Sequence, residues 1–284
     1  MSRRLWLVAI MLMSLLIYSR CLAASESWRL AYFPTDHLYA HYLANPLHSN
    51  FSFQYRHITH SAIPQTGDRR FALSIGGNLG LIRLHPVDQP QRGWQLSLEA
   101  GGRGEFDTTY SEDNIGWDGL YGLFLDYRHN HRLAYRLGMH HTSSHIGDEY
   151  AERTGWQRIN YTRQEVRLAA LWAFIEHGQT YLEIAHAYDR RNQVLQQPGR
   201  AEWGIQYKRD RLFQHYPGGY VALNISTYEE NDWDTNTTLQ AGIHWPAGER
   251  LWRLGLEYYD GRAQMGEFFL FNEKYISLGL WMDL

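Results

Sequence analysis

The sequence predicts an all-β fold: an antiparallel transmembrane β-barrel of about twelve strands, preceded by a short N-terminal helical segment. Three observations predict it. Apolar and polar side chains alternate with period two from about residue 50 to the end, connections alternate between short and long, and aromatic residues gather near the strand ends.

The chain opens with Met1, Ser2, Arg3 and Arg4, continues as an apolar run from Leu5 to Ile17, and reaches Ala23 and Ala24 before polarity begins. A basic head, a short apolar stretch and a small-residue exit make a secretory signal. The run is shorter than the ~20 residues of a spanning helix, so residues 1–24 are expected to be a cleaved signal peptide. Lipidation of Cys21 is the rival reading, disfavoured by Arg20 in a place that wants a small residue. Cleavage would remove Cys21, the single cysteine, leaving no disulfide or thiolate metal site.

Residues 25–50 fall outside the strand pattern and are expected on the periplasmic side. Pro34, Thr35 and Asp36 can start a short helix carrying Leu38, Tyr39, Tyr42 and Leu43 on one side and stopping before Pro46. It is expected under or inside the barrel, which occupies 51–284.

Strands are expected at 51–57, 70–84, 93–106, 117–127, 131–144, 161–174, 179–189, 201–209, 219–228, 236–245, 251–259 and 274–284. The pattern is plainest where Trp252, Leu254, Leu256 and Tyr258 oppose Arg253, Gly255, Glu257 and Tyr259. The short connections, such as His129 to Asn130, read as periplasmic turns, and the long ones, such as His145 to Asn160, as outer loops. Trp94, Trp172, Trp245 and Trp252 lie at short-turn ends, whereas Tyr188, Trp203, Tyr228 and Tyr258 lie near long-loop ends. Two such belts suit a bilayer. Glu99, Arg103, Asp126, Arg136, Arg167, Glu202, Arg253 and Glu257 point inward by parity and must pair with other groups to be buried.

Mean hydropathy of −0.49 and the lack of a long apolar run after residue 24 exclude a helical membrane bundle. A net charge of −3 gives no reason to expect nucleic acid as a partner. The 11 Trp and 20 Tyr leave a soluble periplasmic sugar-binding β protein as a distant alternative.

One strand carries chemistry. Leu133, Tyr135, Leu137 and Met139 form its lipid-facing side, and His141 and Ser143 continue that parity to the outer rim. An imidazole two residues from a hydroxyl on one face can activate it as a nucleophile for acyl transfer. The returning strand offers Gln164, Thr162 and Asn160 on its lipid-facing parity, one of which could orient the imidazole. Asp148 and Glu149 could offer oxygens to a hard cation, but they lack any diagnostic spacing, and a solvated loop accounts for them better.

The stretch His141, Thr142, Ser143 resembles the His-x-Ser core of outer-membrane phospholipase A and of the lipid A deacylases, barrels that hydrolyse acyl esters of membrane lipids. The resemblance implies His141 as base, Ser143 as nucleophile, Asn160 as the phospholipase's third member, and calcium as a cofactor. The match stops at Ser144 and His145, where the phospholipase reads Asn-Gly. A wider similarity is to exported bacterial proteins classed as a domain of unknown function. It is carried by His141 through Tyr150 (His-Thr-Ser-Ser-His-Ile-Gly-Asp-Glu-Tyr), with Tyr32, Phe33, Pro34 and Arg158, Ile159, Asn160, Tyr161 on either side.

The leading expectation is an outer-membrane barrel acting on membrane lipids as an acyl esterase. The alternative is a non-enzymatic narrow pore or surface scaffold. Oligomeric state is left open.

Overall fold

The structure, a computed structural model, describes residues 27–212, 217–248 and 250–283; the expected signal peptide and Leu284 lie outside them. Among the described residues there are thirteen strands. They are β1 (Trp28–Tyr32), β2 (Phe51–Ser61), β3 (Arg69–Pro86), β4 (Gly93–Asp107), β5 (Asp113–Arg128), β6 (Leu133–Ile146) and β7 (Thr162–Ile175), then β8 (Gly178–Arg190), β9 (Gly199–Arg209), β10 (Gly218–Tyr228), β11 (Thr235–Ala247), β12 (Arg250–Arg262) and β13 (Asn272–Asp283). Each strand from β2 to β13 pairs antiparallel with its sequence neighbours, and β13 pairs back to β2, closing a twelve-stranded barrel. Closure pairs the strands of the wall on both sides, as hydrocarbon surroundings require, except where β3 runs past β2 and only its far end, Ile82–Pro86, gains a partner in β1.

The strand register agrees with the alternation in the sequence. Along β12, Leu254, Leu256 and Tyr258 are exposed while Arg253 and Glu257 are buried. The same holds around the wall: Ile75, Leu98, Leu123, Leu168, Ile184, Leu239 and Leu278 are exposed. All eight charged residues expected inside are buried. In water such an outer wall would forfeit about 25 cal/mol for each Å² of apolar surface left exposed, whereas in hydrocarbon it costs nothing. Tyr228 departs from the expected outer belt: it turns inward, its ring 5.6 Å from the Arg163 guanidinium carbon, because it shares parity with the luminal Asn224.

The luminal charges are matched. Arg103 pairs with Asp118 at 2.6 Å, Arg136 with Asp126 at 2.6 Å, and Arg253 with Asp283 at 2.7 Å. Arg163 and Arg167 hold Glu165 at 2.8 and 2.7 Å, and Arg200 joins Glu165 at 3.3 Å and Glu202 at 2.6 Å while also meeting Glu183. Charges of this kind are tolerated away from water only when paired in this way.

The segment before the barrel corrects one expectation. Residues 33–50 contain turns and bends but no helix. β1 pairs with the end of β3 that extends past β2, Trp28 opposite Pro86, and the chain then leaves the wall and fills the lumen. Luminal side chains hold its backbone there. Leu43 N donates to Gln206, Ser49 N to Glu99, and the carbonyls of Leu38, Leu43 and Pro46 accept from Arg128, Arg253 and Arg103. These partners replace the i→i−4 bonds that a helix would have made. Tyr42 stacks on Tyr181 at 3.6 Å between ring centroids. Gly76 and Gly101 face one another across β3 and β4; a Cβ on Gly76 would strike Ala100 O and Gly101 Cα at 2.7 Å, so the close approach of the two strands requires glycine there, with Ser49 of the plug packed beside both.

At the long-loop end a lid covers the barrel. Helix α1 (Asp148–Thr154) lies in the β6–β7 connection, and Tyr150 packs with Ile63, Ile115, Met265 and Phe268 from three other connections or strand ends. Enclosed spaces between plug and lid are small, about 60 Å³ for one lined by Pro46, Arg103, Tyr228 and Gln264.

Candidate functional site

Between Leu133 and Ser143 the odd positions face outward and the even ones inward, so His141 and Ser143 share the outer wall while His140 and Ser144 are buried. β5 lies on one side, with Gly119 opposite Ser143, Tyr121 opposite His141 and Trp117 opposite His145. The Tyr121 and His141 rings stack at 4.5 Å, and the Trp117 and His145 rings at 4.2 Å. Ser143 therefore has an imidazole two residues away in each direction, and each imidazole is steadied by an aromatic face.

β7 lies on the other side, where Gln164 stands opposite His141 and Thr162 opposite Ser143. Gln164 Nε2 donates to Asp189 Oδ2 at 3.0 Å, and the Tyr188 hydroxyl donates to Gln164 Oε1 at 3.3 Å. His141 Nδ1 is buried without a hydrogen-bond partner. Among the three polar residues on β7's outer parity, the register thus sets Gln164 beside the imidazole. Asn160 lies before the strand, in the left-handed region at φ 58°. Its neighbours fix it there: Ile159 N and Tyr161 N donate to the Glu267 carboxylate at 2.7 and 2.9 Å. Tyr161 O accepts from Ser144 N at 2.9 Å, so the ladder continues past Ser143 and carries Asn160 toward the level of His145.

The inner side of the same strand anchors the lid. Ser144 Oγ accepts from Glu267 N at 2.9 Å and itself donates to Asp118, which also receives Gly266 N. The nucleophile candidate therefore sits directly on the segment that holds the lid in place. Gln164, Asp189 and the stacked rings gained their places from pairing across strands, and Glu267 from the β12–β13 connection folding back; no single strand's sequence signals these contacts.

Glu230, in the turn after β10, is buried beside Arg163 and the Tyr161 hydroxyl at 3.2 and 3.3 Å. Burial pushes its carboxyl up to about 7, with Arg163 pulling the other way. A raised folded-state pKa means that the protonated form folds better, so this contribution is complete below the ordinary range and is lost as pH rises through about 7. Glu230→Gln is expected to flatten the fall in thermal midpoint of the wild type between about pH 4.5 and 7. An unchanged slope in the variant would refute this.

Calcium finds no side-chain cluster. Asp148 and Glu149 occupy the first turn of α1, and among the described residues no three His, Asp or Glu side chains gather as metal ligands. No step below runs through a metal.

A family model described as a protein of unknown function, DUF1207, matches residues 17–283. The chain belongs to this family. No curated protein matches it. Solved structures do. The outer membrane phospholipase dimer of Salmonella typhi with bound calcium is 12% identical, with a TM-score of 0.57, over 87% of this chain and 95% of that one. Outer membrane phospholipase A from Escherichia coli is 14% identical with the same TM-score, over 84% and 94%. LpxR from Salmonella typhimurium is 10% identical at a TM-score of 0.44, over 83% and 100%. The two phospholipases show that this DUF1207 member has an outer-membrane-type barrel fold.

Proposed function

We propose that this DUF1207 protein is an integral barrel of the outer membrane that hydrolyses acyl esters of membrane lipids at the outer leaflet. One observation carries the reading: His141 and Ser143 share the outward face of β6 on an otherwise apolar wall, just below the long loops. The barrel's likeness to phospholipases supports it by analogy of fold only. Export by the N-terminal signal peptide is part of the same reading.

In the proposed reaction Ser143 Oγ attacks the ester carbonyl and His141 takes its proton. His141 then returns that proton to the departing lysolipid oxygen, and water, deprotonated by the same imidazole, releases the fatty acid. The resemblance assigns the orienting role to Asn160; the register favours Gln164, whose amide oxygen can turn to accept from His141 Nδ1. Hydrogen bonds of this kind commonly tighten only with substrate bound. The test is fatty-acid release from phosphatidylethanolamine vesicles carrying the folded protein. Release by wild type and by Asn160→Ala, but not by Gln164→Ala, gives Gln164 the role; the reverse gives it to Asn160. No release by wild type ends the proposal.

The filled lumen bears on the pore alternative. Plug and lid occupy the space between the walls, and planar bilayers containing the intact protein are expected to record no steady conductance. A stable open-channel current would favour the pore.

A further inference from the structure

The geometry points to a slot for one fatty-acyl chain on the outer wall of β5 and β6, floored by Gly119 and Ser143, with Gly119 as the residue that sets its depth. This inference rests on the esterase reading above.

The outward residues of β5 in this region are Trp117, Gly119, Tyr121, Leu123 and Leu125; those of β6 are His145, Ser143, His141, Met139 and Leu137. Every rung of this pair except one carries a large side chain. The exception is Gly119 with Ser143, and the rungs on either side carry the two stacked ring pairs. Trp117 and Tyr121, four residues apart, have Cα atoms about 13 Å from each other in an extended strand. The rings therefore form two walls, and the nucleophile lies at the lowest point between them. Opposite Gly119 on β4, Gly102 leaves the same rung open for one strand more.

The fold does not require glycine at 119. At Gly138 and Gly242 a Cβ would strike backbone oxygens at 2.4 and 2.2 Å, so those glycines serve the packing of the wall. At Gly119 a Cβ would meet only side-chain atoms, Ser143 Oγ at 3.3 Å and Trp117 Cζ3 at 3.7 Å, and its φ is not positive. Glycine in a strand interior weakens it, and on a lipid-facing wall any apolar side chain would be accepted. The space kept open is the space beside the hydroxyl. A membrane ester approaching laterally can lay its chain between the Trp117 and Tyr121 rings and bring its carbonyl to Ser143 Oγ from the Gly119 side.

The experiment compares wild type, Gly119→Ala and Gly119→Leu, each shown to be folded by its heat-dependent shift on electrophoresis, in two assays. The first is labelling of Ser143 by a small methyl fluorophosphonate, with Ser143→Ala as the blank. The second is hydrolysis of phosphatidylcholine esters of increasing acyl length. Gly119→Ala is expected to keep its label and shift the length preference toward shorter chains, and Gly119→Leu to lose about tenfold or more in kcat/KM on long chains. A wild type that takes no label at Ser143 overturns the esterase reading and the slot with it. A labelled Gly119→Ala with an unchanged chain-length profile overturns the slot alone.

Discussion

Ser143→Ala is expected to lower fatty-acid release by about a thousandfold or more, and His141→Ala by a comparable factor, because a nucleophile and its base act as one unit. The double variant should then be no worse than either single one. A structural role would give a different pattern. Both side chains face outward and neither belongs to the luminal network, so both variants should keep the wild-type thermal midpoint and heat-dependent electrophoretic shift. His145→Ala is the internal control. It removes an imidazole equally close in sequence to Ser143 and equally stacked, and should leave most of the activity if His141 is the base. Should His145→Ala abolish release while His141→Ala leaves it, the base is His145, and Asn160, carried toward its level, becomes the natural orienting group. Additive losses in the double variant would argue that the two residues do not form a unit at all.

Arg200→Ala is expected to destabilise the folded barrel by about 3–5 kcal/mol, the cost of stripping one partner from a buried ionic network. Arg200 is almost wholly enclosed and bridges Glu165, Glu183 and Glu202. Three arginines, Arg163, Arg167 and Arg200, stand among these three glutamates. Its loss leaves two arginines to balance three carboxylates, with Arg163 also engaged by Glu230. Urea unfolding in lipid vesicles measures the effect. A second substitution, Glu183→Gln, removes one of the carboxylates left over and should recover part of the loss. If Arg200→Ala costs less than about 1 kcal/mol, water reaches the lumen freely and the network is no drier than a surface pair.

The outer wall was legible in the sequence because a closed barrel exposes one parity to lipid and the other to the lumen, and period-two alternation records that division residue by residue. Leu254 and Leu256 against Arg253 and Glu257 told which face was which without any neighbour being known. The candidate pair was legible for the same reason: His141 and Ser143 had to share a face once the strand was assigned.

The plug was not legible, because nothing local specifies it. Residues 33–50 lack a period, and the groups that hold them are far away in sequence: Gln206 for Leu43, Glu202 for Asn45, Arg103 for Pro46. A helix was the natural local expectation, and luminal hydrogen bonds overrode it. Tyr228 was misplaced because its position near a loop end outweighed its parity in the belt assignment.

The sequence by itself determined the twelve strands of the barrel, though not β1, the sense of their faces and the shared face of His141 and Ser143, since each of these depends only on spacing within one segment. Only the tertiary structure decided that Gln164 stands opposite His141, that Gly119 opens the wall beside Ser143, and that Glu267 fixes the backbone on both sides of Asn160. Those depend on register between strands and on how a distant loop folds back, and such pairings are set by the closure of the whole barrel.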